Sequence, residues 1–257
     1  MCWRADLRNG LRIVAAVASL AVGAAAAGQP ADKASIPLTD PTRPASVKLE
    51  LLNGNISVKG YPGRDVVVEA RMRATEGARG ENGKRIPMIA TGLAVREDHN
   101  AVSIDADSIH RTVDVDVLVP YKASLHLGAV HGSISVTEVD GEVDADAVSG
   151  PVTLRNVSGT VVAHGLSGDL LVLFDRVDPR RPMAFSSMSG DVDVTFPPGL
   201  KATVSISSES GKVFSDFDLQ PPGTGSKNIH ATINGGGQTI QFKIYSGNIH
   251  IRKAGRS

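Results

Sequence analysis

Glycine recurs at every ninth position through the middle of the chain, at Gly132, Gly141, Gly150, Gly159 and Gly168. The five units read GSISVTEVD, GEVDADAVS, GPVTLRNVS, GTVVAHGLS and GDLLVLFDR. Their third and fifth positions are apolar: Ile134/Val136, Val143/Ala145, Val152/Leu154, Val161/Ala163 and Leu170/Val172. The eighth is apolar as well, at Val139, Val148, Val157 and Leu166. Alternation with period two puts positions three and five on one face of a strand. Valine and isoleucine suit a pleated, half-buried surface. Glycine admits the positive φ of a tight turn, and a serine before it can bond to nearby backbone. One nine-residue unit cannot bury its apolar face alone, so the units must stack or pair into a continuous core.

Looser copies flank the register. NGNISV begins at Asn53, SGDVDV at Ser189, SGKV at Ser210 and SGNIHI at Ser246. If two units make one coil, Gly132, Gly150 and Gly168 lie eighteen residues apart, with Gly190 and Gly211 following after 22 and 21. The surplus falls in loop-like stretches at 178–182 (DPRRP) and 196–199 (FPPG). Before the repeat, strands are expected at 47–51, 65–72, 92–96, 101–106 and 112–119, with a polar loop at 75–89. No stretch past the N-terminal segment keeps a helical period. The fold class expected is all-β: a β-solenoid of short, glycine-started strands with an antiparallel-leaning N-terminal part. A β-sandwich is the alternative, and it suits the region before the repeat.

The first residues set the expected compartment. Arg4, Arg8 and Arg12 precede an apolar run at 13–22, and GAAAA follows at 23–27. That is the layout of a secretory signal peptide over 1–27. The run is short of the roughly 20 residues that a spanning helix needs. A flexible linker is expected over 28–44 and one all-β domain over 45–253. Cys2, the single cysteine, lies in the signal, so the mature part has no thiol for a disulfide, a metal or a nucleophile. Removing the signal leaves 24 basic against 26 acidic residues, which is no basic stripe for nucleic acid. Aromatics are only 4%, too few for sugar-stacking platforms.

The recurrent S-G-x-[VIL]-x-[VLAI] opener resembles the adhesin-like β-strand-repeat family of unknown function. So do LLNGNISVKGYPGRDVVVEA from Leu51, the Val-Pro end of the strand at 112–120, and IYSGNIHIRK from Ile244. The resemblance spans about 47–253. It implies an exported or envelope-associated protein, a right-handed β-helix-like or stacked-sheet architecture, and no established catalytic residues. The sequence departs from the pattern at His131, where serine is usual before Gly132, and at Asp140 before Gly141.

Few residues carry chemistry. Asp114/Asp116, Asp144/Asp146 and Asp191/Asp193 alternate along strands, and stacked carboxylates could hold Ca²⁺. The calcium nonapeptide shares the period but needs Gly-Gly-x-Gly-x-Asp, whereas each unit here has one register glycine, so a solvated strand face is expected instead. His99, His110, His126, His131, His164, His230 and His250 show no zinc spacing, although His126 and His131 could approach across a turn. The segment GLSG at 165–168 is one residue short of a nucleophile elbow. Gly77 to Lys84 lacks phosphate-loop spacing, and GGG at 235–237 reads as a turn. The sequons at Asn55 and Asn156 are coincidental within strands, and Arg180-Arg181 reads as a solvated basic loop. No catalytic, cofactor-binding or metal residue is therefore assigned. The expected function is a non-catalytic envelope binding or scaffold module, in the periplasm or at the cell surface. It would present repetitive β faces to a polymer or a partner protein, with no nucleic-acid partner and no membrane span after cleavage. The alternative is a β-helix enzyme acting on polysaccharide.

Overall fold

A computed structural model describes residues 31–72, 93–106, 112–220 and 228–255. The expected signal at 1–27, the loop at 75–89 and His110 lie outside the described residues. Every regular element among the described residues is a strand, and none is a helix. The first are β1 (Ala31–Pro37), β2 (Ala45–Asn53), β3 (Ile56–Tyr61), β4 (Asp65–Met72), β5 (Leu93–Asp98), β6 (Ala101–Ala106) and β7 (Val113–Pro120). Next come β8 (Ala123–His131), β9 (Ile134–Thr137), β10 (Asp140–Ser149), β11 (Val152–Ser167), β12 (Leu170–Val177), β13 (Met183–Ser189) and β14 (Val192–Phe196). The last are β15 (Ala202–Ser210), β16 (Val213–Ser215), β17 (Asn228–Ile233), β18 (Gln238–Ser246) and β19 (Ile249–Lys253).

The strands form two faces around one core. The first runs β5–β6–β2–β8–β10–β11–β13–β18–β15–β17. The second runs β1–β4–β7–β3–β9–β11–β12–β14–β19–β16. Strand β11 belongs to both, turning the corner at a register shift between Arg155 and Ser158. Through the middle of both faces the pairing is parallel, so the arrangement is β-solenoid-like and not an antiparallel sandwich. All ten third- and fifth-position residues of the repeat point inward, each with at most 1% of its surface exposed. Toward the C-terminal end phenylalanines replace them. Phe174 stacks on Phe196 with ring centres 5.1 Å apart, and Phe185 stacks on Phe242 at 5.2 Å.

Several expectations give way. The antiparallel character of the N-terminal part is confined to β1–β4–β7 and β5–β6, while β2 and β3 lie within the parallel stack. Residues 31–37, expected as linker, form β1, which pairs with β4 along its whole length, and Leu38 is buried. The eighth position of the repeat is not uniform. Val139 and Val157 are buried, but Val148 and Leu166 are 42% and 46% exposed. Successive units occupy two different corners, and the true period is two units per coil.

The coils also do not stack in sequence order. Gly190 lies on Gly168, but Gly211 lies on Gly247, which itself lies on Gly190. The C-terminal pair β18–β19 is thus inserted between β13–β14 and β15–β16. Nothing in the spacing of Ser-Gly motifs records this, because each copy has the same shape and can occupy any rung.

At the Ser-Gly corner the backbones meet closely. Gly150 has φ +133°, and a Cβ there would lie 2.1 Å from the Gly132 carbonyl oxygen. Gly150→Ala is expected to cost at least about 2 kcal/mol from backbone strain and backbone displacement. Gly199→Ala, with nothing within 4 Å of the added carbon, should be near neutral; urea melts of both proteins measure the difference. The two-corner period makes a second prediction. Val157→Asp should cost about 3 kcal/mol or more by burying a charge, whereas Val148→Asp should leave the melting temperature within a degree or two.

Candidate functional site

The residue after each corner glycine builds a ladder of side-chain caps. The Asn55 backbone N–H donates to Asp114 Oδ1 at 2.8 Å, and that of Ser133 donates to Asn55 Oδ1 at 3.0 Å. The next rung is Pro151, which has no N–H to satisfy. Beyond it the backbone N–H of Asp191 donates to Asp169 Oδ1 at 2.9 Å, that of Asn248 to Asp191 Oδ1 at 2.7 Å and that of Lys212 to Asn248 Oδ1 at 3.1 Å. This explains the Asn or Asp that so often follows Ser-Gly. It also corrects the view of the alternating aspartates as a plain solvated face. Asp114 and Asp191 cap backbone, while Asp116 pairs with Arg71 at 2.8 Å and Asp193 with Arg252 at 2.8 Å. Those four lie on the second face and Asp144/Asp146 on the first, so the three pairs do not stack on one another. Among the described residues no three histidine, cysteine or carboxylate groups are placed to hold a metal ion.

The first face carries the chemistry that remains. Parallel pairing in register sets its outward side chains in rows, one residue per coil. One row contains Lys48, His126 and Asp144, and the next contains Asp105, Glu50, Gly128, Asp146 and His164. Gly128 leaves a gap in the second row. Its φ is not positive, and an added Cβ would meet only the Glu50 side chain, at 3.3 Å. The backbone does not require this glycine. The gap opens a groove of about 720 Å³ with Glu50, Asp105, Asp144 and Asp146 on its walls. Lys48 lies 3.0 Å from Glu50, and His126 Nδ1 lies 3.4 Å from Asp144 Oδ2. Partial withdrawal from water raises the Asp146 pKa above its ordinary value; the Asp144 charge adds to this, and His164 opposes it.

Beside this groove runs a rail of apolar side chains, two residues before the corner glycine in six successive coils; the coil of Gly211 carries Glu209 there instead. The rail comprises Leu52, Val130, Val148, Leu166, Met188 and Tyr245, five of them more than 40% exposed. An expected approach of His126 and His131 across a turn does not occur. Both lie on β8, with His126 on the groove wall and His131 at the corner beside Asn53 and Ser149. Arg180 and Arg181 line a second groove, of about 530 Å³, at the opposite corner. There Arg181 pairs with Glu142, and Arg176 with Asp140 at 2.9 Å, so its charges are largely satisfied internally. The sequence carried one signal of the first groove: Gly128 is a glycine at an outward strand position, off the nine-residue register.

An all-β repeat of stacked, parallel coils with an open groove on its first face defines a β-solenoid-like protein. The chain belongs to the Toastrack DUF4097 family, a domain of unknown function, whose model matches residues 27–252. Among solved structures it is similar to a "putative cell adhesion protein" from Clostridium sporogenes, at 12% identity over 87% of this chain and 100% of that one, with a TM-score of 0.45. It is also similar to a "putative adhesin" from Bacteroides fragilis, at 12% identity over 88% and 99% of the two chains, with a TM-score of 0.36. No curated protein matches the chain.

The raised Asp146 pKa has a consequence for stability. A carboxyl whose pKa is higher in the folded state stabilises the fold fully below its unfolded value, and that contribution is lost as pH rises through the folded value. Asp146→Asn should therefore raise the melting temperature slightly at pH 7. The difference should shrink as pH falls toward and below the ordinary aspartate value of 3.8; thermal melts from pH 7 to pH 3 measure it.

Proposed function

We propose that the chain is exported and acts in the cell envelope, in the periplasm or at the surface, as a non-catalytic binding or scaffold module. It presents its repeated β faces to a surface polymer or a partner protein. Residues 1–27 direct export, and the coil is right-handed, as nearly all parallel crossovers are. The observation that carries this reading is the in-register outer face, where each coil contributes one side chain to each row. Such a surface offers many equivalent shallow contacts along one axis. The polysaccharide-enzyme reading draws on the Asp144/Asp146 pair beside His126 and Glu50. Those side chains are widely exposed, Glu50 at 69% and His126 at 50%, whereas catalytic groups must be held within tight tolerances by packed neighbours.

Expression with the native N-terminus tests the proposal. The expected product is found in the envelope fraction, begins at Gly28, and forms discrete crosslinks to envelope components through photo-reactive residues at Ser186 on one face and Thr153 on the other. A cytoplasmic, uncleaved product, or release of reducing sugar from envelope polysaccharide by the purified protein, would refute it.

A further inference from the structure

We infer that the Gly128 groove and the apolar rail together bind a cationic, amphipathic helical segment of a partner protein, seating one lysine or arginine side chain in the gap at Gly128. This names the partner chemistry of the binding face and rests on the binding-module reading.

The gap lies between two carboxylates. Glu50 and Asp146 both pair with Gly128, one from each neighbouring strand. With strands about 4.8 Å apart, their backbones stand about 9.6 Å from each other; the flexible Glu50 side chain leans to within 3.3 Å of where a Gly128 Cβ would stand, and turning it aside makes room for one cationic head group between them. Every other strand from β6 to β18 has a side chain at that row position. The empty place is therefore a local feature and not a consequence of the coil. Carboxylates outnumber cations around it: Asp105, Asp144 and Asp146 add to the Lys48–Glu50 pair. A guanidinium or ammonium entering the gap would meet Glu50 and Asp146 at once, and charge-assisted contacts of this kind are strong.

The rail fixes the rest of the partner. Six coils at about 4.8 Å give a stripe about 24 Å long, the length of about 16 helical residues. Its repeat is close to the 5.4 Å pitch of an α-helix, so an apolar helix face with residues at i, i+3, i+4 and i+7 can meet successive rungs. The acidic row lies beside only the Leu52–Val148 end; past His164 it continues as Ser186 and Lys243. A helix bound here has its basic residues toward one end. An anionic bilayer would be repelled by the same carboxylates. Rail-to-rail pairing of two copies in opposite directions would leave most of them facing a row whose one full cation is Lys243.

A synthetic 16-residue peptide tests the inference, with leucines at the helical spacing, lysines in its first half and one tryptophan. The chain's one tryptophan, Trp3, lies in the expected signal, so fluorescence from exported protein reports the peptide. The expected result is saturable binding that weakens with salt and falls at least tenfold in three variants: Gly128→Leu, Glu50→Gln with Asp146→Asn, and Leu166→Asn with Met188→Asn. Circular dichroism and a cooperative melt no lower than that of the parent establish that each variant is folded, and the carboxylate pair keeps the test intact if Gly128→Leu is not. Equal binding of the same peptide with glutamates for lysines, binding indifferent to the variants, or no binding overturns the inference. So does a finding that the rail variants abolish association with anionic vesicles, or dimerisation, instead. If the peptide fails while photo-crosslinks from Thr153 still form in the envelope, only the inference falls; if export and crosslinks fail as well, the module reading falls with it.

Discussion

Stacked coils bring backbone against backbone at the corners more closely than a side chain allows, and the glycine column is how this chain meets that limit. Gly54, Gly132, Gly150, Gly168, Gly190, Gly247 and Gly211 stand one on another in this column; each has a positive φ, and a Cβ on it would lie under 2.5 Å from a carbonyl oxygen of the coil below. That contact is accompanied by a backbone bond to the coil above: Gly132 N–H donates to the Ser149 carbonyl at 3.0 Å, Gly150 to Ser167 at 2.9 Å and Gly168 to Ser189 at 3.0 Å. The column therefore holds register. A slip of one residue would set a side chain against a carbonyl at every rung and turn the apolar row of each strand outward.

Register at the corner propagates in both directions along each strand. Inward it aligns Val152 with Leu170 and Ile134, so branched side chains meet at the same height and are fully buried. Outward it aligns the rows of the first face. The column also tolerates reordering, since any Ser-Gly copy fits any rung. The C-terminal coil uses this freedom. Among the described residues strand β15 pairs with β17 and β18, and β16 with β19, so the end of the stack is held to its middle through the last strands of the chain.

How much of this was legible follows from the same physics. Hydrophobic period two and a glycine every nine residues are local consequences of strand and corner, and both stand in the sequence; the inward pairs from Ile134 to Val172 needed nothing else. The place of β18–β19 is non-local, decided by which free rung the chain reaches, and equivalent motifs cannot encode that. Val148 and Val157 occupy the same position of the unit yet differ in burial, because the two corners curve differently and only the coil, not the unit, defines an environment. Strand β1 escaped because ADKASIP lacks an apolar alternation; it is held at the margin of the second face by backbone pairing to β4.

The outer rows are the part of a solenoid that its fold leaves free. A corner glycine or an inward valine is answerable to packing, and its identity says little about use. At Gly128 neither constraint operates: its φ is not positive, and the nearest atom to an added carbon belongs to a flexible glutamate. Any small polar or β-branched residue would serve the strand better, since glycine weakens a strand interior. Beside it the rail keeps leucine, valine, methionine and tyrosine in water along successive coils, where the neighbouring row is charged or polar. Exposed apolar rows of this length are unusual on a monomer unless something covers them. An unneeded gap between two carboxylates and an unneeded apolar rail on the same edge are both explained by one occupant that is basic and apolar, and by neither the core nor the corner.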